Sequence, residues 1–410
     1  MFTYPDSVRF LYELGNEIKT AKLGLERIRI VLAGLGDPQR SFGVVHVAGT
    51  NGKGSTCAMI EAGLRAAGVR TGLFTSPHLI EPTERIQVAG VPVTPEQFRQ
   101  AFEVVHTTAE QCDLDCHPTY FETVTAMAFW LFRELRIETA VVEVGLGGRL
   151  DATNVVEPAL TVITPIDFDH EAYLGYTLEA IAGEKAGILK PGVPAVFSQQ
   201  RPEAEAVLTA RALELGVSVM RAERFCVKDL HIDARGSRFS GLTCPLAGEH
   251  QVQNAVTAAL ALQALGVPPQ GIAEARWPGR LEHVAPNPDI ILDGAHNPAG
   301  ARALQRYLER FYPGRRVWLV FGAMRDKALD EVAGILFPLA CELIFPGMNS
   351  ARALRPEALV ELAGRGRVAA DIATALALLR EAGKTEDISD DVVVITGSLF
   401  LVGEARAHLM

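Results

Sequence analysis

Short apolar runs alternate with helix-length stretches through most of this chain, and that alternation leaves few folds open. Residues 44–48, 69–74, 139–144, 159–164 and 195–198 are rich in β-branched side chains and read as buried strands. Between them, 55–67, 95–110, 122–135 and 178–188 read as helices. Strand and helix in turn specify a parallel sheet with helices on both faces, because a crossover helix returns the chain to begin the next strand in the same direction. Residues 216–247 break the pattern. They are short, mixed and turn-rich, which suggests a small β-rich addition before a helix over 251–265. A second α/β series follows Arg276-Trp277-Pro278-Gly279-Arg280, with strands at 290–292, 316–321, 342–345 and 392–396 and helices at 298–311, 326–336, 356–362 and 372–382. The expected architecture is therefore α/β: an N-terminal P-loop-type parallel-sheet domain with the β-rich addition in residues 1–278, and a C-terminal Rossmann-like α/β domain of ~130 residues in 279–410.

Composition narrows the classes. A chain of 410 residues exceeds one ordinary domain, and 48% hydrophobic with 21% charged residues describes a core-forming protein. No apolar run reaches the ~20 residues that span a bilayer, and the first eleven residues lack the pattern of a secretory signal. A net charge of −10 argues against a general nucleic-acid binder. The expected partners are thus small molecules, without nucleic acid or membrane, and the expected setting is cytoplasmic. The six cysteines are scattered. Cys112 and Cys116 lie beside His117, but no second pair completes a zinc set, so reduced structural thiols are the better reading.

The strongest local signal is Gly49-Thr50-Asn51-Gly52-Lys53-Gly54-Ser55, which follows an apolar strand and opens a helix. Glycines let backbone amides converge on phosphate oxygens, and the helix N-terminus adds its positive end. Lys53 would reach the outer phosphates, and a hydroxyl at the end of the loop would help to hold magnesium. The strict Walker pattern is not met: Val47 stands where its first glycine belongs, and Gly54 follows the lysine. Glu143 ends an apolar strand at the carboxyl edge, where open α/β sheets bind ligands. Asp169-His170 follows the next strand and should share that edge. Lys185, by spacing alone, reads as an ordinary surface or snorkelling lysine.

At this point the sequence resembles the folylpolyglutamate synthase/dihydrofolate synthase family within the Mur-type ligase superfamily, over almost the whole chain. The resemblance rests on His46-Val47-Ala48-Gly49 through Ser55, Thr75-Ser76-Pro77-His78, Glu84-Arg85-Ile86 and Glu143-Val144-Gly145 through Asn154. It continues in Asp169-His170, Glu184-Lys185-Ala186-Gly187, Pro278-Gly279-Arg280-Leu281-Glu282, Asp293-Gly294-Ala295-His296-Asn297 and Thr396-Gly397-Ser398. It implies ATP as co-substrate and Mg2+ as cofactor, with room for a monovalent cation. Lys53 and Ser55 would serve the phosphates, with Ser55, Ser76 and Glu143 around a first ion. His170, Glu143 and a carbamylated Lys185 would hold a second, and Lys53, His170 and Lys185 would be the catalytic set. Gly49, Thr50, Asn51, Gly52, Gly54, Asn254, Arg280, Asp293 and His296 match the family's ATP contacts, which brings both domains onto the nucleotide. Thr119, Tyr120, Phe121 and Asp151 match the region receiving a pterin-bearing substrate, and Ser398 would face incoming glutamate. Gly322-Ala323-Met324-Arg325-Asp326-Lys327 departs from the family's loop.

The implied reaction is ATP-dependent ligation of L-glutamate to folates through an acyl phosphate. The stretch from Gly147 to Asn154, similar to bifunctional members, leans towards dihydropteroate as a second substrate. Joining an amine to a carboxylate is uphill until an oxygen can leave as phosphate. Phosphoryl transfer in turn asks for positioning and cations more than covalent help. Domain closure would keep water from the intermediate, and a monomer would suffice. The alternatives are a Mur-type cell-wall amino-acid ligase, a nucleotide-dependent switch and an NAD-dependent dehydrogenase. The switch gives Asp293 and His296 no role, and the dehydrogenase lacks a G-x-G-x-x-G turn after 290–292.

Overall fold

The computed structural model describes residues 2–15, 24–325, 328–350, 352–385 and 387–410. The chain divides into two compact units, one of Met1–Val227 with Gln253–Ala275 and one of Lys228–Val252 with Arg276–Met410.

The first unit is built on an eight-stranded sheet. In chain order its strands are β1 (Gly43–Ala48), β2 (Thr71–Phe74), β3 (Ile86–Val88), β4 (Val91–Pro92), β5 (Thr139–Glu143), β6 (Leu160–Ile163), β7 (Ala195–Phe197) and β8 (Val219–Arg221). The spatial order is β4-β3-β2-β5-β1-β6-β7-β8. The six strands from β2 to β8 in that order are parallel, whereas β3 and β4 form an antiparallel edge. That edge departs from the all-parallel expectation. Its cause is local: Ala89 and Gly90 both take positive φ (50° and 76°), as a tight hairpin with the sheet's own twist requires.

Helices cover both faces. Pro95–Gln111 and Tyr120–Glu134 share an apolar core with Val44, Phe74, Ala140 and Val142 on one face of the sheet. The N-terminal helix Tyr4–Glu13 and the helix Glu26–Gly34 join the same core through Leu11, Ile28 and Leu32. On the other face the Thr71 hydroxyl donates to Glu61 (2.5 Å), which sets the helix Lys53–Ala66 opposite Phe74, because side chains alternate along a strand. Parallel β1, β5 and β6 end together, so Ala48, Glu143 and Ile163 open onto one carboxyl edge.

The second unit holds β9 (His231–Ile232), β10 (Ser237–Phe239) and β11 (Leu242–Cys244) in a three-stranded antiparallel sheet. Its six-stranded sheet comprises β12 (Glu282–Pro286), β13 (Asp289–Leu292), β14 (Val317–Phe321), β15 (Glu342–Pro346), β16 (Arg367–Ala369) and β17 (Val392–Thr396). These lie in the order β12-β13-β17-β14-β15-β16, parallel except for β12. The expected helix over 326–336 is observed as Leu329–Leu336, and Asp326 and Lys327 lie outside the described residues. The turn-rich stretch 216–247, which the sequence reading places with the N-terminal domain, is divided: β8 stays in the eight-stranded sheet, and residues from Lys228 onward group with this unit. The Tyr307 hydroxyl donates to the Ala234 carbonyl (2.8 Å), and Ala247 packs in one core with Leu281 and Tyr307. Among the described residues no helix is long and apolar enough to cross a membrane.

Candidate active site

The turn between β1 and the helix Lys53–Ala66 is held from outside by the segment after β6. The amides of Thr50 and Asn51 both donate to the Pro165 carbonyl (2.9 and 3.1 Å). The Thr50 hydroxyl donates to the Asp167 carbonyl (3.0 Å) and accepts from the Asp167 amide (3.1 Å). The Thr56 amide donates back to the Gly52 carbonyl (2.9 Å). The amides of Lys53, Gly54 and Ser55 form the first turn of that helix, the end that carries its positive pole. Two glycines are required by space. A Cβ at Gly49 would lie 1.9 Å from the Thr164 hydroxyl oxygen, and one at Gly52 (φ 81°) would lie 2.4 Å from Oδ1 of Asn254. Asn254 thus presses on the loop from the helix Glu249–Ala264.

Two lysines meet this loop. Lys53 Nζ donates to the Thr50 carbonyl (3.2 Å) and Lys185 Nζ to the Gly49 carbonyl (2.9 Å). Lys185 is 4% exposed, which overturns its reading as a surface lysine. Burial brings its amine down to about 7, helped by the charge of Lys53 and opposed by Asp169 and Asp151. At neutral pH a large share of it is therefore an uncharged nucleophile.

Glu143, 3% exposed at the end of β5, accepts from the Ser76 amide (3.1 Å), which joins the ends of β5 and β2. Burial, with the charge of Glu143 and against that of Lys53, pushes the Cys57 thiol in the helix Lys53–Ala66 up. Ser55 is buried in the first turn of that helix. The donor set of Ser55, Ser76 and Glu143 is oxygen only, which fits magnesium. His170 takes a left-handed conformation (φ 57°) beside Asp169, whose carboxylate accepts its amide (3.0 Å). Asp169 in turn lies within electrostatic reach of Lys185.

The four residues expected against the pterin-bearing substrate divide in two. Thr119 caps the helix Tyr120–Glu134, its hydroxyl accepting from the Glu122 amide (3.2 Å), and Phe121 lies half-buried over Gly145. Tyr120 is buried, stacked on Tyr12 (5.9 Å between centroids) under the Arg85 guanidinium (5.0 Å). Asp151 is 5% exposed and engaged: it accepts from the amides of Leu146 (2.8 Å) and Thr153 (3.0 Å), and from the Thr153 hydroxyl. Through these bonds it ties the glycine-rich turn into shape.

Sequence reasoning overlooked a brace on the segment carrying Ser76. Glu84 accepts from the amides of Leu79, Ile80 and Glu81 (2.8, 3.1 and 2.9 Å), and Arg85 donates to Nδ1 of His78 (2.8 Å). Burial and that guanidinium hold His78 at about 3, hence neutral. Glutamate three residues after the cap position of a short helix was the available signal.

In the second unit the carboxyl edge gathers Asp293, Ser398 and Gly322 after β13, β17 and β14. The Asp293 carboxylate accepts from the amides of Leu281 (2.9 Å) and Ala295 (3.0 Å), and burial raises its pKa against the opposing Arg280. Nδ1 of His296 donates to the Gly294 carbonyl (2.7 Å). Asn297 caps the helix Pro298–Phe311, and Ser398 caps Leu399–Leu409, its hydroxyl accepting from the Phe400 amide (3.2 Å). Of the departing loop Gly322–Lys327, the residues up to Arg325 are described, and Met324 bridges to Ala353.

Comparison with known proteins bears on both units. Residues 47–262 match the Mur ligase middle domain, and residues 279–399 match the Mur ligase glutamate ligase domain. The dihydrofolate synthase/folylpolyglutamate synthase of Mycobacterium tuberculosis is 36% identical over 93% of this chain and 89% of its own length. The folylpolyglutamate synthase of Lacticaseibacillus casei is 34% identical over 99% of both chains. Among solved structures, the M. tuberculosis folylpolyglutamate synthase complexed with ADP superposes with a TM-score of 0.92 at 35% identity, covering 99% of this chain and 98% of that one. An Escherichia coli relative in complex with DHPP and ADP gives 0.88 at 33% identity, covering 100% and 99%.

Proposed function

Because the chain belongs to the folylpolyglutamate synthase/dihydrofolate synthase family of Mur-type ligases, it joins L-glutamate to folates with ATP as co-substrate, and we propose that it also joins glutamate to dihydropteroate. The observation that carries the site assignment is the meeting of Lys53, Lys185 and the Gly49–Ser55 turn, with buried Glu143 on the neighbouring strand. Names that pair both activities in relatives, such as that of Bacillus subtilis at 35% identity over 95% of this chain, support the second substrate.

In this reading the amides of Lys53, Gly54 and Ser55 cradle the phosphates, and Lys53 exchanges its bond to the Thr50 carbonyl for an outer phosphate oxygen. Asn254 presses the turn into register. Arg280, Asp293 and His296 supply the second unit's nucleotide contacts, Asp293 fixing Leu281 and Ala295 behind them. Ser55, Ser76 and Glu143 would hold one Mg2+, and His170, Glu143 and carbamylated Lys185 a second; when bound, these ions neutralise charge on phosphate oxygens. The substrate carboxylate attacks the γ-phosphorus, giving an acyl phosphate and ADP. The glutamate amine then attacks the acyl carbon and phosphate leaves. Phe121 lines the pterin side, Asp151 and Thr153 shape the turn behind it, and Ser398 faces glutamate. The enzyme acts as a monomer in the cytoplasm, a reducing compartment that suits six free cysteines.

The test is phosphate release by the purified enzyme with ATP, glutamate and either dihydropteroate or a reduced folate. Turnover with both is expected. Turnover with folates alone would remove the dihydropteroate activity, and turnover only with a nucleotide-linked cell-wall precursor would overturn the assignment.

A further inference from the structure

Far along the chain from the phosphate loop, two histidines and a glutamate converge. His106 and Glu110 are one turn apart on the helix Pro95–Gln111, so their side chains share a face. His117 comes from the segment after that helix. One ligand atom from each of the three lies within 4.8 Å of the others, and among the described residues this is the one such group of His, Cys, Asp and Glu. Nδ1 of His106 and Nε2 of His117 are 3.3 Å apart. Two nitrogens each ~2.05 Å from a tetrahedral zinc ion would stand about 3.3 Å apart.

The surroundings fit a ligand site as well as the spacing does. Nδ1 of His117 donates to the Pro118 carbonyl (2.9 Å), which fixes the tautomer and turns the Nε2 lone pair towards His106. Metal-ligating histidines are oriented in this way by a carbonyl behind them. The His106 ring is stacked on Phe102 (5.5 Å, 5°) and meets the edges of Phe2 and Phe10, and Phe10 also touches His117. Aromatic rings wall the cluster on one side and the exposed carboxylate of Glu110 stands on the other. Cys112 and Cys116, in the same segment, turn elsewhere: their sulfurs lie 3.9 Å from the Ile30 carbonyl and from Arg27.

We propose that His106, Glu110 and His117 bind a divalent transition-metal ion of the zinc class, at a site separate from the magnesium positions. Two imidazoles and one carboxylate are a borderline-soft set that prefers such ions to magnesium. The bound ion would pin the end of Pro95–Gln111 to the segment leading into Thr119, Tyr120 and Phe121, and so brace the entry to the helix that carries them.

Zinc binding to the full-length enzyme, measured by equilibrium dialysis with magnesium in large excess, tests this. One zinc per chain is expected, with a zinc-dependent rise in melting temperature. Affinity should fall at least ~10-fold in both Glu110→Gln and His117→Gln. Glu110 is exposed, so its replacement leaves the fold intact, which circular dichroism can verify. Absence of zinc from the parent protein under excess magnesium, or unchanged affinity in either variant, would overturn the site.

Discussion

Lys53 and Lys185 donate to the carbonyls of neighbouring residues of one loop, Thr50 and Gly49. Lys53→Ala should nearly abolish phosphate release while the melting temperature stays close to that of the parent, because one electrostatic contact to a transferring phosphoryl group is worth ~10²–10³ in rate. Turnover within a few-fold of the parent would sink its role. Lys185 has its amine lowered to about 7, below its value in the unfolded chain. Between about 7 and the ordinary lysine range the unfolded state binds the extra proton, so stability of the nucleotide-free enzyme rises with pH across that window. In Lys185→Met that rise should be missing, a difference on the order of a few kcal/mol by pH 10 that urea unfolding at several pH values would resolve. The same neutral amine can take up carbon dioxide. We therefore expect loss of activity in Lys185→Ala with partial rescue by acetate, no rescue in Lys53→Ala, and added mass on Lys185 in bicarbonate.

Among elements, the β1-to-helix turn leaves no room for change. Gly49→Ala should cost roughly 1–3 kcal/mol by overpacking against Thr164. Thr164→Ala in the same chain should restore little, because the Thr164 carbonyl oxygen is also 2.9 Å from the added Cβ. Full recovery in the double variant would show that the side chain alone set the limit. At the other end of the site, Thr119→Ala should lower stability by about 1 kcal/mol through loss of the cap, read as a fall in melting temperature. At this scale the sequence was most legible. Runs such as Val44–Val47 and Val392–Ile395 can only be interior strands, and the glycines around Lys53 mark their own turn. Hairpin edges were not, because Ile86–Val88 and Val91–Pro92 are too short for alternation to show. Nor was the burial of Lys185, since its cause, the Gly49 carbonyl, lies 136 positions away. The family motif marks Asp151 as a substrate contact; its bonds to the amides of Leu146 and Thr153 come from a turn whose shape only the fold reveals.

For the whole molecule, the second unit is discontinuous in sequence. A fragment of 279–410, the domain as the sequence outlines it, lacks the Ala234 carbonyl that receives Tyr307 and the Ala247 that packs on Leu281. Such a fragment should melt lower and less cooperatively than one to which residues 228–252 have been joined, as circular dichroism would register. Equal melting of the two would mean that the three-stranded sheet contributes nothing to that core.

The same interruption has a consequence on the ribosome. The N-terminal unit cannot finish until residue 275 has emerged, and by then Lys228–Val252 has been waiting outside the exit tunnel for its own partners. At ~5–20 residues per second the stretch to residue 410 takes on the order of ten seconds more to synthesise. Until the strands of the six-stranded sheet, β12 to β17, have followed in that interval, the segment of β9, β10 and β11 lacks the rest of its unit, and Phe239, Leu242 and Cys244, all buried in the finished protein, lack their final cover. The short Ser240-Gly241 hairpin, with both residues at positive φ, lets that segment close on itself first, before the rest of its unit exists.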